Sequence, residues 1–172
     1  MACILKVNGL TPELGENCWL APNATLVGDV KLGKNCTVWF NAVIRGDVNE
    51  IRIGDDTNIQ DGAVIHCTYK QAGTYLGNQV SIAHNAIVHG CTIHDRVLVG
   101  MGAIVMDGAI VHSDSVIAAG AVVLAGTVVE AGSIYAGMPA KKVKDIGENM
   151  REVILRTAKN YPMYATWFEK EG

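Results

Sequence analysis

The sequence predicts an all-β solenoid, a parallel β-helix of hexapeptide repeats followed by C-terminal α-helices, and two observations carry that prediction. Leu, Ile or Val recurs every six residues from Leu14 to Ile44, from Ile53 to Ile65, from Leu76 to Val88 and from Ile93 to Val129. Four residues after most of these stands a small residue, as at Cys18, Ala24, Cys36, Ala42, Ala63, Ala86, Thr92, Ala103 and Ala121. Glycine often takes the second place, as in Leu32-Gly33 and Val99-Gly100. No amphipathic helix tolerates so many glycines and β-branched residues at this spacing, whereas a six-residue period is the signature of a parallel β-helix.

Three flat faces close one coil, so about 18 residues advance the chain by roughly 4.8 Å, the spacing of paired strands. The large aliphatic residue points inward and the small one fits where the interior narrows. The period breaks at three places: nine residues separate Ile44 from Ile53, eleven separate Ile65 from Leu76, and five separate Val88 from Ile93. Solenoid insertions go outward as loops, often on the binding face, and these three bracket the histidines.

The domain organisation expected is a β-helix over 1–140, with repeats from about residue 14, and a helical segment over 141–172. Ile146, Met150, Val153, Ile154, Ala158 and Tyr161 form an apolar stripe at helical spacing, with Asp145 as N-cap and Glu148 three residues on. Pro162 suits the first turn of a second short helix carrying Tyr164, Trp167 and Phe168. These helices are expected to lie back on the solenoid or on a neighbouring subunit.

The 172 residues are 49% hydrophobic and 18% charged, with a net charge of −3, which offers no basic surface for nucleic acid. No apolar run approaches the ~18 residues of a membrane span, and the N-terminus lacks a secretory core, so a cytoplasmic location is the expectation. The five cysteines contain no C-x-x-C pair. Cys18 and Cys36 fall in the small interior slot and read as buried free thiols, while Cys67 and Cys91 lie close to the histidines.

His66 and His89 are each the second residue of their hexapeptides, and three hexapeptides, one full coil, separate them. They therefore stack at one corner about 4.8 Å apart, close enough for one ion with nitrogen ligands at about 2.0–2.1 Å. His84 is a third-position residue on another face, so its expected ion is that held by a neighbouring subunit. Arg45 occupies the His66 column one coil earlier, and Asp61 the His84 column one coil earlier. Arg45 and Asp47 read as an ion pair or as groups that orient the ligands. His94 and His112 read as surface residues.

The segments Asn41-Ala42-Val43-Ile44-Arg45-Gly46-Asp47, Asn58-Ile59-Gln60-Asp61-Gly62 and His84-Asn85-Ala86-Ile87-Val88-His89-Gly90-Cys91 resemble the motifs of γ-class carbonic anhydrases and their relatives, over residues 8 to 168. That resemblance implies a left-handed β-helix, a homotrimer, and zinc, or iron or cobalt in its place, at each subunit interface. It implies His66 and His89 as metal ligands from one chain and His84 from the next, with Arg45 and Asp47 supporting the interface. Asn58, Gln60 and Asp61 would be catalytic, hydrating carbon dioxide to bicarbonate with water activated by the metal. The best-known members carry an acidic loop and a glutamate beside Arg-Gly-Asp, whereas here Val48 follows Asp47 and Cys67-Thr68-Tyr69-Lys70 follows His66. Asp47, Glu50 or Tyr69 would then carry the released proton. The alternatives are a hexapeptide-repeat acyltransferase using coenzyme A, suggested by Ala136-Gly137-Met138-Pro139-Ala140-Lys141, and a non-catalytic metal-binding trimer.

Overall fold

The computed structural model describes the fold of residues 1–169: a left-handed parallel β-helix of about seven turns ending in one helix, α1 (Glu148–Glu169). Residues 170–172 of the expected C-terminal segment lie outside the described residues. The first of three faces carries Val64–His66, Ile87–His89, Ile104–Val105 and Val122–Val123, and the second carries Thr74–Leu76, Thr92–Ile93, Ile110–Val111 and Val128–Val129. The long strands Thr25–Leu32 and Val43–Ile53 round the corner between these faces and serve both. Eight strands build the third face, from Trp19–Leu20 to Ala140–Asp145. Pairing begins with Cys3–Leu5 against Thr25–Leu32, earlier than the repeat predicts, because an open edge needs a partner strand but not a hexapeptide.

The repeat aliphatics from Leu26 onward are buried inside the coil, and Ala24, Ala42, Ala63, Ala86, Ala103 and Ala121 line one inner corner with no exposure. Each such Leu, Ile or Val contributes about 1.5–3 kcal/mol relative to exposure. Leu14 is 40% exposed, because in the first turn only one side is covered. The five-residue spacing before Ile93 corrects one expectation: Cys91, 2% exposed, fills the interior slot, and Thr92 faces outward. A second corner is held by left-handed residues, one per turn, including Asn17, Asn35, Asp56, Arg96 and Asp114. Asn and Asp tolerate that conformation through local side-chain hydrogen bonds, and their side chains bond turn to turn, Asn17 to Asn35 and Asn35 to Asp56.

The C-terminal segment departs from the two helices expected. Asp145 is the last residue of Ala140–Asp145, which pairs antiparallel with Ser133–Gly137 and so closes the last sheet edge with a lysine-rich strand. The Gly147 carbonyl accepts the first helical bonds, from the Met150 and Arg151 N–H groups. Pro162 lies inside α1 and does not start a second helix. Proline removes an interior hydrogen bond, but packing on both sides of it overrides the local preference: Tyr161 meets Trp39, and Phe168 meets Trp19, Trp39 and Phe40. The helix covers the third face, where Ile154 packs with Val116 and Ile146. No helix of the described residues is long and apolar enough to cross a membrane.

Arg96 donates two hydrogen bonds to Asp114 on the next turn, at 2.7 and 2.9 Å, and holds that carboxyl below the usual carboxylate range against the opposing effect of burial. A depressed folded pKa contributes stability above the unfolded value of about 3.9 and loses it as pH falls through the folded value. Asp114→Asn should therefore lower the melting temperature at pH 7 by roughly 2–4 °C, the effect of about 1 kcal/mol in a chain of this size. The gap between variant and wild type should close below about pH 4 in thermal melts.

Candidate functional site

The register of the first face places His66 directly beside His89. Their rings are tilted at 62° with centroids 5.0 Å apart, and His66 Nδ1 lies 3.0 Å from His89 Nε2. The other ring nitrogen of each is held by a carboxylate. His66 Nε2–H donates to Asp47 Oδ1 at 3.2 Å, and His89 Nδ1–H donates to Asp107 Oδ1 at 2.7 Å. His84 repeats the pattern, with Nδ1 2.9 Å from Asp61 Oδ2. A carboxylate on one ring nitrogen fixes the tautomer and leaves the other nitrogen as a lone-pair donor.

The backbone explains these placements. Val43–Ile53 loops outward at Gly46, whose missing Cβ would lie 2.6 Å from the Asp29 carbonyl oxygen, so only glycine fits between Arg45 and Asp47. Arg45 Nη1 donates to Asp47 Oδ2 at 2.6 Å, so Asp47 bridges an arginine and a histidine. Burial opposes ionisation of Asp47, yet the hydrogen bonds from Arg45 and His66 hold its carboxyl below the ordinary range. Burial, reinforced by the charge of Arg45, keeps the His66 imidazole below its ordinary value and so neutral at pH 7. Gly90, in the left-handed region at φ +55°, has no Cβ, and the Asp107 carboxylate occupies the space where one would stand.

Asp107 was not foreseen from the sequence, although the signal was present: Val88 pairs with Val105, so Gly90 and Asp107 share a column one turn apart. By sequence Tyr161 is one member of the apolar stripe. Its ring rests on Trp39, and burial, with the charge of Asp61 adding, pushes its hydroxyl up to about 12, so it stays a protonated donor near Asp61.

The remaining sequence candidates fall elsewhere. Gln60 and Asn58 are buried on the third face, where Gln60 Nε2 donates to Asn58 Oδ1 at 3.0 Å and Asn58 Nδ2 donates to Ser81 Oγ at 2.8 Å. Within one chain this network adjoins Asp61 and His84 and not the His66–His89 pair. Both oxygens of Glu50 are engaged, one by Tyr75 and one by Arg52. Tyr69 stands 60% exposed on the loop after His66, with Lys70 over its ring. Cys67 and Cys91 belong to the core, and burial raises both thiols, Cys91 to about 12. His94 and His112 stack one turn apart, with centroids separated by 5.1 Å.

His66 and His89 suit a shared ion, since two ligands at about 2.0–2.1 Å from one ion are at most about 4.2 Å apart, and their facing nitrogens are 3.0 Å apart. Among the described residues of one chain, no three His, Cys, Asp or Glu side chains converge to hold a metal. His84 enters the first face, three residues before Ile87, while His66 and His89 leave it. The two halves of the donor set thus lie at opposite edges of one face. Outward from that face point Val43, Val64, Ile87 and Ile104, at least partly exposed, and Val122, already buried, an apolar column that no helix of the described residues covers. On the third face the corresponding column lies beneath α1.

Comparisons with known proteins agree with this architecture. The family profile "Bacterial transferase hexapeptide (six repeats)" matches residues 11–46 and 90–125. A Methanocaldococcus jannaschii protein named "Probable carbonic anhydrase" is 43% identical over 148 residues, covering 86% of this chain and 92% of the relative. "Gamma carbonic anhydrase 2, mitochondrial" of Arabidopsis thaliana is 36% identical over 163 residues, covering 92% of this chain, which spans 59% of that relative's length. The crystal structure of a hexapeptide transferase family protein from Anaplasma phagocytophilum superposes with a TM-score of 0.92 at 36% identity, covering 96% of this chain and 98% of that one. With a relative 43% identical along nearly its whole length, the chain belongs to the γ-carbonic-anhydrase-like family of hexapeptide-repeat proteins.

Proposed function

We propose that this protein is a homotrimeric metalloenzyme that hydrates carbon dioxide to bicarbonate, at sites completed where the edges of two first faces meet. The observation that carries this reading is the division of the histidines: a facing pair on one edge of an uncovered apolar face and a single histidine on the other. When three such faces surround a threefold axis, the leaving edge of each meets the entering edge of the next. That brings His66 and His89 of one chain to His84 of its neighbour, and it buries the Val43–Val64–Ile87–Ile104–Val122 column.

Zinc is the ion proposed, with iron or cobalt as substitutes, and when bound it lowers the pKa of water from about 15.7 to near 7, making a nucleophile available at neutral pH. The residues of the chain supply the rest. Asp47, Asp107 and Asp61 fix the imidazole tautomers. Gln60 and Asn58, held in a buried network, offer fixed dipoles on the His84 side. The proton leaves through an exposed group, for which Tyr69 is freer than Glu50. The second reading, acyl transfer from coenzyme A, is favoured by the transferase names of the matching profile and of the Anaplasma structure.

Metal analysis and light scattering on the purified chain should give a trimer holding about one divalent ion per chain. His84→Ala should lose the ion and keep the trimer; a metal-free wild type would remove the reading altogether. Stopped-flow hydration of carbon dioxide tests the activity, and calorimetric titration with coenzyme A, expected to show no binding, tests the rival.

Ile87→Lys places a charge in the centre of the apolar column. It should yield monomers without metal, although all three histidines remain; retention of metal by that monomer would contradict a site shared between chains.

Asp107→Asn keeps the shape but not the charge that orients His89, and should weaken zinc by roughly 10–100-fold in competition with a chelating dye. Unchanged affinity would show that Asp107 does not orient a ligand.

A further inference from the structure

Two thiols on successive turns lie outside the histidine site. Cys18 leads into Trp19–Leu20 and Cys36 into Thr37–Val38, strands whose register pairs Trp19 with Thr37. The Trp19 N–H donates to the Cys36 carbonyl at 2.9 Å, so the two cysteines are direct neighbours across the ladder. Their Cα atoms are thus about one strand spacing apart, ~4.8 Å, within the roughly 4.4–6.8 Å over which disulfides form. Both thiols are free, and each S–H donates to a backbone carbonyl at 3.1 Å, Cys18 to Gly33 and Cys36 to Gly54. Trp19–Leu20 is the outermost strand of its sheet and is bonded on one side only, so it is the strand free to adjust as the sulfurs bond.

The two differ in access. Cys36 is buried at 1% exposure. Cys18 is half-buried and lines an open cleft of about 330 Å³ between the solenoid wall and α1, with Asn17, Trp19, Pro162 and Ala165. We propose that Cys18 and Cys36 form a peroxide-reactive dithiol, in which Cys18 meets the oxidant through the cleft and Cys36 resolves it as a disulfide stapling the first two turns. The electrostatics agree in direction: the neighbouring Cys36 side chain lowers the Cys18 thiol against the effect of burial, while Cys18 and burial push Cys36 up. A low-pKa, accessible thiol beside a second cysteine is the arrangement of a redox-responsive pair.

The chemistry balances with hydrogen peroxide as the oxidant. The Cys18 thiolate sulfur attacks one peroxide oxygen, the O–O bond breaks, and hydroxide leaves and takes a proton to become water. Cys18 is then a sulfenic acid. The Cys36 sulfur attacks it, the S–S bond forms, the S–O bond breaks, and the second water departs with the Cys36 proton. Two thiols have lost two electrons to one peroxide.

The test uses the full chain as purified, treated with hydrogen peroxide, blocked with N-ethylmaleimide, digested with trypsin and read by mass spectrometry. Cys18 and Cys36 fall in different peptides, residues 7–31 and 35–45, so the disulfide appears as their joined mass. That mass should form, vanish with dithiothreitol, and accompany a rise of roughly 5 °C in melting temperature. Cys36→Ser should stop at a dimedone-trapped sulfenic acid on Cys18, and Cys18→Ser should leave Cys36 reduced; if Cys36→Ser fails to fold, wild type against Cys18→Ser decides. Absence of the joined peptides at peroxide levels that oxidise the exposed Cys3, or oxidation of Cys36 that persists in Cys18→Ser, would overturn the proposal.

Discussion

In-register parallel stacking governs this molecule. Every side chain on a face meets the residue one turn later at the strand spacing of about 4.8 Å, so the sequence is a set of vertical columns. The columns of buried aliphatics and alanines make the core. The corner columns of Asn and Asp make hydrogen-bonded ladders that set the bends. A column of two histidines makes a pair of facing nitrogens with no further device. The same register that stabilises the solenoid therefore positions the candidate site, and a slip of one residue would disperse both.

The insertions alter this regularity only where the site needs it. The outward loop at Gly46 carries Asp47 to the outer nitrogen of His66, and the missing Cβ of Gly90 admits the Asp107 carboxylate beside His89. The histidines are held by neighbouring turns on either side of their own, so their geometry belongs to the rigid part of the fold. Among the described residues of one chain, no third donor converges on the pair. In the trimer we propose, burying the apolar column between the two histidine edges and completing the donor set would be satisfied by the same contact.

Much of this is legible in the sequence because a solenoid reduces tertiary contacts to counting. Three hexapeptides from Ile65 lead to Val88, and the structure pairs His66 with His89 as that count requires. Counting failed where the period itself broke. Cys91 took the interior slot assigned to Thr92 because a five-residue step shifts the inward phase by one. Asp107 was overlooked because its partner column begins at a glycine, which carries no chemistry of its own. The C-terminal segment was misread for a different reason: Pro162 and Asp145 are strong local signals, and tertiary contacts with Trp39 and Ser133–Gly137 outweighed both. Burial of Gln60 and Asn58 beneath α1 could not be read from a repeat that contains no helix.

The central claim is that each metal site takes two histidines from one chain and one from another, and complementation between defective chains tests it most directly. His84→Ala and the double variant His66→Ala/His89→Ala should each assemble without metal. Co-expressed in equal amounts, they should form mixed trimers that each regain all three ligands at one of three interfaces, giving about a quarter of an ion per chain over the whole randomly assembled pool. Mixed trimers that hold no metal would contradict the shared site.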